Sequence, residues 1–258
     1  MLAITFLGTG TSMGVPMIRC RCEVCHSKDP RDQRLRSSIY VQTADRSWVV
    51  DTGAEFRIQV LRANIQNLDA VLYSHSHADH IMGFDDLRRF GSAPGGAIPI
   101  YASKETMQNL QIAFSYAFSG EARFPGYVLP EPHLILGPFL LGKTEIHPIR
   151  VEHGNAHVIA FLFRQAGRSV AAYVSDCKRV GAEGLKTLEG VDTLILGTPC
   201  RREHPTHMNM IEGIALAKRL SPRQTYFTHL SHDFGHAITQ KELPENVFLA
   251  HDGLRLGL

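Results

Sequence analysis

A layered α/β domain is what this sequence predicts, and three observations predict it. Short apolar, β-branched runs recur along the chain, and stretches of helical spacing fall between some of them. At 258 residues and 44% hydrophobic content, the chain can also bury one sizeable core. One unit over residues 1–258 is the expected organisation.

The elements follow in order. The opening "MLAITFLGTGTSMGVP" is apolar, but it lacks a basic leader and glycines cut it after Leu7, so "ITFLG" reads as a first strand and turn. "SSIYVQT" and "SWVVDTG" read as the next two strands. Residues 54–66 have helical spacing, with Ile58, Leu61 and Ile65 on one stripe. The strand "AVLYS" precedes a helix expected from "IMGFDDLRRF", and the strand "IPIYA" precedes a helix over 103–117 with Ser103 as N-cap. Glycine and proline break the periodicity of residues 119–133, which read as an irregular loop over a site. Four strands follow, "TEIHPIRV", "VIAFLF", "SVAAYVS" and "TLILGT". A helix over 208–220 comes next, stopped by Ser221-Pro222, and then the strands "QTYFT" and "NVFLAH".

Formal net charge is +2, the pI is near 8.3 and no run of like charges occurs, which argues neither for nor against nucleic acid. No apolar stretch is long enough to cross a bilayer, so a soluble, cytoplasmic protein is the expectation. Five cysteines are an odd number for a disulfide framework, and Cys20, Cys22 and Cys25 crowd into six residues. In a reducing compartment that crowding suggests metal.

The densest signal is "YSHSHADHIMG", residues 73–83, which packs His75, His77, Asp79 and His80 in front of a glycine. Side chains two apart in an extended segment project to the same side, so His75 and His77 can share one ion. Asp79 and His80 fall where the chain turns and can face a second. His153, Asp176 and His229 each end an apolar strand, and they would converge if those strand ends shared one rim. Two dications roughly 3.5 to 4 Å apart need a carboxylate between them, and Asp176 is the natural bridge. His147 and His157 read as surface or hydrogen-bonded residues and stay outside the set.

The H-x-H-x-D-H stretch formed by His75, His77, Asp79 and His80 resembles the signature of the metallo-β-lactamase fold superfamily. That resemblance implies an αββα sandwich of two mixed sheets flanked by helices. It also implies that Asp51, in "VVDTG", orients ligands from behind. Within the superfamily, "GTGTSMGVP" followed by "CRCEVC" resembles the phosphodiesterase branch that includes a phosphoribosyl 1,2-cyclic phosphate phosphodiesterase. By that likeness Cys20, Cys22, Cys25 and His232 hold one structural zinc, a closed tetrahedral set, with His26 as a competing fourth ligand. Cys177 and Cys200 read as small buried apolar residues.

The same resemblance implies two divalent ions, manganese or zinc, in the active site, and hydrolysis by a hydroxide held between them. Asp79 and His207 are the candidate catalytic residues. His207, in "EHPTHMNMIEG", matches the position of a non-ligand histidine that protonates the leaving group, and a nearby phosphodiester would help keep it charged; His204 is its rival. Arg34 and Arg36 read either as a second phosphate site or as solvated basic residues. The expected function is hydrolysis of a small, perhaps cyclic, phosphodiester, with a small-molecule partner, no membrane, nucleic acid disfavoured and a homodimer left open. The alternatives are a tRNA 3′-end processing endonuclease, against which +2 is a weak charge and the long Gly/Pro-rich arm is missing, and a pyrroloquinoline quinone biosynthesis-type protein of the same fold. An oxygen-reducing di-iron relative is disfavoured by His77, where those proteins place Glu.

Overall fold

A computed structural model describes residues 1–90, 96–119 and 126–258. The first half of the chain supplies β1 (Ala3–Gly8), β2 (Ser38–Gln42), β3 (Ser47–Val50), β4 (Ala70–Leu72), β5 (Ile98–Ala102) and β6 (Pro130–Leu134). The second supplies β7 (Phe139–Leu141), β8 (Thr144–His153), β9 (Ala156–Gln165), β10 (Arg168–Val174), β11 (Arg179–Val180), β12 (Thr193–Gly197), β13 (Gln224–Thr228) and β14 (Val247–Leu249). A last strand, β15 (Arg255–Gly257), returns to the edge of β1. The sheets run β15-β1-β2-β3-β4-β5-β6 and β11-β8-β9-β10-β12-β13-β14, with β7 beside β8. Both sheets are mixed: β3 to β6 are parallel, as are β10, β12, β13 and β14.

Successive side chains of a strand face opposite ways, and here both ways are buried. Ile4, Ile39, Trp48 and Leu72 of one sheet meet Phe161, Phe163, Tyr173 and Ile195 of the other between the sheets. The alternate residues Tyr40, Val49 and Val71 pack outward on the helices α1 (Phe56–Arg62) and α3 (Lys104–Ala113). Leu162, Val174 and Leu196 pack likewise on α5 (Ala182–Leu188) and α6 (Met210–Leu220). The result is the expected αββα sandwich. Among the described residues no helix is long and apolar enough to cross a membrane.

Several local expectations hold in outline. Ser103 caps α3 by accepting the Thr106 N–H at 3.1 Å, but the helix breaks at Phe114 before a short α4 (Ser115–Phe118). Asn209 and Glu212 form a reciprocal capping box on α6, and Ser221 ends it in a left-handed turn. Three expectations need correction. On α1 the stripe of Ile58 and Leu61 is exposed, at 52% and 64%, because Phe56 and Gln59 turn inward instead and the larger aromatic ring takes the core position. The helix after the histidine stretch starts early: α2 (Ala78–Ile81) already contains Asp79 and His80, and "FDDLRR" is 3-10 helix. Of the loop expected over 119–133, Pro130–Leu134 is strand β6 on the sheet edge, where prolines are tolerated, and 120–125 lie outside the described residues.

Candidate metal centre

The carboxyl ends of parallel strands in an α/β sheet are where ligands usually bind, and here they meet. β3 ends at Asp51, β4 leads into Ser74 and His75, β10 leads into Asp176, and β13 leads into His229. His153 closes β8 on the same rim. Asp51 and His229 both adopt left-handed backbone, with φ of 66° and 55°. That conformation costs a residue with a Cβ roughly 1–3 kcal/mol and persists where surroundings impose it. The loop after β3 grips α2: Thr52 donates to the His80 carbonyl at 2.8 Å and Gly83 donates to the Thr52 carbonyl at 2.9 Å. The approach is so close that a Cβ on Gly53 would sit 2.4 Å from the Asp79 carbonyl oxygen, and one on Gly83 would sit 2.2 Å from that of Gly53.

Two groups of donors result. His75, His77 and His153 form one, and Asp79, His80 and His229 form the other, with the ligand atoms of each group within 4.8 Å of one another. Asp176 lies between them. Its Oδ2 is 3.2 Å from His80 Nε2, and its Oδ1 is 3.3 Å from His229 Nε2 and 4.0 Å from His153 Nε2. His207 stands beside them, Nδ1 3.7 Å from Asp176 Oδ1, its ring 4.4 Å from that of His153 and 5.2 Å from that of His229.

Hydrogen bonds behind the rings assign their tautomers. The Nδ1 of His80 donates to Asp51 Oδ2 at 2.7 Å. The hydroxyl of Ser74 donates to the same carboxylate oxygen at 2.6 Å, and so accepts from His75 Nδ1 at 3.0 Å. Ser37 donates to the Gly10 carbonyl and accepts from His229 Nδ1 at 3.1 Å; His153 Nδ1 donates to the Thr206 carbonyl at 2.8 Å. His75, His153 and His229 thereby present a bare Nε2 inward, and His80 does so once its second proton leaves, while His77 turns its Nδ1 to within 2.9 Å of His75 Nε2.

The donor set fits divalent ions. Although His80 Nε2 lies 3.2 Å from carboxylate oxygens of both Asp79 and Asp176, it is buried without a hydrogen bond, as is Asp176 Oδ2. Buried polar atoms left without partners call for an occupant of the space they face. Charge follows the same pattern. Burial would raise the carboxyls of Asp79 and Asp176, but His80 and His229 outweigh it and hold both well below their usual range. Burial would lower His80, but Asp176 and Asp51 hold it well above its ordinary value. Burial and then the charge of His80 push His75 far down. Burial, then His229, push His207 down to about 3, so in the protein alone this imidazole is neutral and any acid role depends on a substrate's charge.

The cysteines form a separate centre. Cys20, Cys22 and Cys25 place their sulfurs 3.1, 3.4 and 3.7 Å from His232 Nδ1. A tetrahedral zinc with ordinary Zn–S and Zn–N bonds separates such atoms by about 3.6 Å. His26 turns instead to the Cys22 carbonyl, which decides between the two candidate histidines in favour of His232. Backbone N–H groups of Cys25 and Met17 donate to Cys22 and Cys25 sulfurs at 3.4 and 3.3 Å. The first of these leads the causes that lower Cys22 to about 6, whereas burial pushes Cys25 up to about 11. Cys177 is fully buried in the core; Cys200 is less so.

A family model described as a β-lactamase superfamily domain matches residues 46–230. The chain belongs to the metallo-β-lactamase superfamily. A crystal structure described as a new diphosphatase from the PhnP family is 37% identical, with a TM-score of 0.91 over 100% of this chain and 98% of that one. A Porphyromonas gingivalis protein named octanoyltransferase is 31% identical over 259 residues, which is 96% of this chain and 50% of that protein; the chain thus spans about half the length of this relative. Zinc-bound PqqB from Methylobacterium extorquens, 18% identical with a TM-score of 0.79 over 99% and 100% of the two chains, shares the fold.

All donors expected from the sequence come together, in two centres. Arg34 and Arg36 do not form a phosphate site. Arg34 is buried against Asp32 and two backbone carbonyls, and Arg36 is occupied by the Ser12 carbonyl and Glu55. The sequence reading missed Ser37, Ser74 and the Thr206 carbonyl. Ser74 adjoins His75 in the quoted stretch, and that adjacency was its only signal; Ser37 had none.

Proposed function

We propose that this protein hydrolyses a small phosphodiester using two divalent ions, zinc or manganese. His75, His77 and His153 would hold one, Asp79, His80 and His229 the other, with Asp176 between. The observation that carries the reading is His207, an imidazole that packs against rings of both groups, and whose donor atom also lies within 4.8 Å of those of His153 and Asp176. Bound ions polarise a phosphoryl oxygen and make water nucleophilic at neutral pH. The chain does the rest. Asp51, Ser74, Ser37 and the Thr206 carbonyl hold the rings in one tautomer. Asp176 offsets the positive charge. His207, raised by the anionic substrate beside it, donates its proton to the departing alkoxide. A cavity of about 520 Å³ beside His75, His77 and His153, lined also by Ser76, Thr106 and Asn109, suits a small hydroxylated substrate.

A diphosphate bond is the second reading, favoured by the 37% identity to the diphosphatase. The test is turnover of bis(p-nitrophenyl) phosphate by metal-stripped chain reloaded with zinc or manganese, beside His207→Ala, a monoester, a dinucleoside diphosphate and an octanoyl thioester. Metal-dependent diester turnover that spares the monoester is expected, and the variant should lose roughly 10²–10⁴-fold on a diester with an alkoxide leaving group but far less on the p-nitrophenyl one, whose phenolate departs without a proton. Diphosphate or thioester turnover without diester turnover would replace the reading.

A further inference from the structure

Residues 228–232 join the two centres, since His229 belongs to the imidazole-carboxylate group and His232 completes the thiolate group three residues later. Backbone bonds tie Leu230 to Thr9 and Thr11, and the side chain of Arg34 holds the residues that follow. Arg34, with no exposed side-chain surface, donates from Nη1 to the Ser231 carbonyl at 3.0 Å and from Nη2 to the Phe234 carbonyl at 2.6 Å and Asp32 Oδ1 at 3.1 Å. The same Asp32 oxygen accepts the His236 N–H at 2.8 Å. On its other side the Arg34 backbone pairs with Val15, N–H to carbonyl in both directions at 2.8 and 2.9 Å, just before the loop that carries the cysteines. Arg34 therefore lies between the thiolate loop and the segment that supplies a histidine to each centre. His229 adopts left-handed backbone, a shape that persists only where surroundings impose it, and the Arg34 contacts begin two residues further on.

We propose that Arg34 is a positioning residue for His229 and works together with the thiolate centre. If either is lost, the Asp79–His80–His229 group weakens for its ion while the His75–His77–His153 group keeps its own. This rests on the metal-binding reading above. The second group is spared because its rings are set by Ser74 and the Thr206 carbonyl, neither of which touches residues 229–234 through any hydrogen bond described.

The experiment is cobalt(II) titration of the reduced, metal-stripped full chain. Thiolate charge-transfer absorption reports the cysteine centre, d–d bands report the imidazole sites, and ion content is checked by elemental mass spectrometry. Arg34→Met and Cys22→Ser should each weaken one imidazole site roughly 10–100-fold, the usual effect of losing an outer support, and leave the other unchanged. Arg34→Lys, keeping the charge without the fork, should fall between. Ile65→Ala, a cavity in the separate cluster beside α1 that contains none of residues 228–234, should leave both imidazole sites unchanged. Cys22 is part-exposed on a loop, so its variant carries the test if Arg34→Met does not fold. The proposal is overturned if both imidazole sites keep their affinity in Cys22→Ser, or if they fall together there. A wild-type chain whose imidazole groups bind no cobalt would overturn both this proposal and the metal reading beneath it.

Discussion

The two donor clusters show how one fold gathers metal-capable side chains in two different ways. In the first, nitrogen and oxygen donors stand at or just after strand ends, four of the five rings are anchored from behind by a hydroxyl, a carboxylate or a carbonyl, and the group opens on a cavity of about 520 Å³. In the second, three sulfurs and one nitrogen come from loops, and two of the sulfurs, those of Cys22 and Cys25, accept backbone N–H groups. Four such donors complete a tetrahedron and leave no position for substrate. Rigid strand ends thus carry the cluster that, on the proposed function, would need an open position, and loops suffice for the one that would only tie chain segments together.

Asp176→Ala should break the contrast most. It removes the carboxylate that faces the inward nitrogens of His80, His153 and His229, so turnover should fall further than the roughly 10²–10⁴-fold expected from loss of a general acid. Ion content of the imidazole groups should drop while the thiolate centre stays filled. Elemental analysis after gel filtration checks this, and full retention of ions would remove Asp176 from its shared position. Asp51→Asn comes next. One carboxylate serves His80 directly and His75 through Ser74, so its loss should lower affinity at both groups by roughly 10–100-fold. Ser74→Ala, which touches only the His75 side, should do less. Chelator competition separates them; a Ser74→Ala effect equal to that of Asp51→Asn would mean the carboxylate is not the common anchor.

How much of this the residues announced depends on where the physics is local. Strands buried on both faces read as continuous apolar runs, so β9, β10 and β12 were legible, whereas the edge strand β6, "PEPHL", reads as a loop because its prolines matter only to the side with no neighbour. The histidine stretch was legible because four donors within six residues are rarely accidental. His153, Asp176 and His229 were legible as strand ends, but their convergence needed the sheet order. Ser37 and Arg34 were not legible at all. A serine that accepts from a histidine 192 positions away and an arginine whose partners are backbone carbonyls leave no pattern in spacing. On α1 two apolar stripes compete, and only packing shows that Phe56 takes the inside.

The smallest expected effect sharpens the comparison through protons. Both centres must give up protons to take an ion, but from different groups. In the imidazole centre the group is His80, held above its ordinary value of 6.5 by Asp176 and Asp51 against its burial. In the thiolate centre it is chiefly Cys25, pushed up to about 11 by burial. The sign for His80 follows: its protonated form stabilises the metal-free fold fully below 6.5, and that contribution is lost as pH rises through the raised value. Over the same range the competing proton leaves, so ion affinity at the imidazole centre should climb and then level off once His80 is neutral. Affinity at the thiolate centre should keep climbing toward pH 11, where Cys25 loses its proton. Calorimetric titration with zinc in buffers of different ionisation enthalpy measures the protons directly, about one from His80 at neutral pH. In Cys22→Ser, which disables the thiolate centre, the His80 proton should still appear. Its absence there would mean that Asp176 and Asp51 do not hold His80 charged, and that the imidazole centre is preformed as a neutral set.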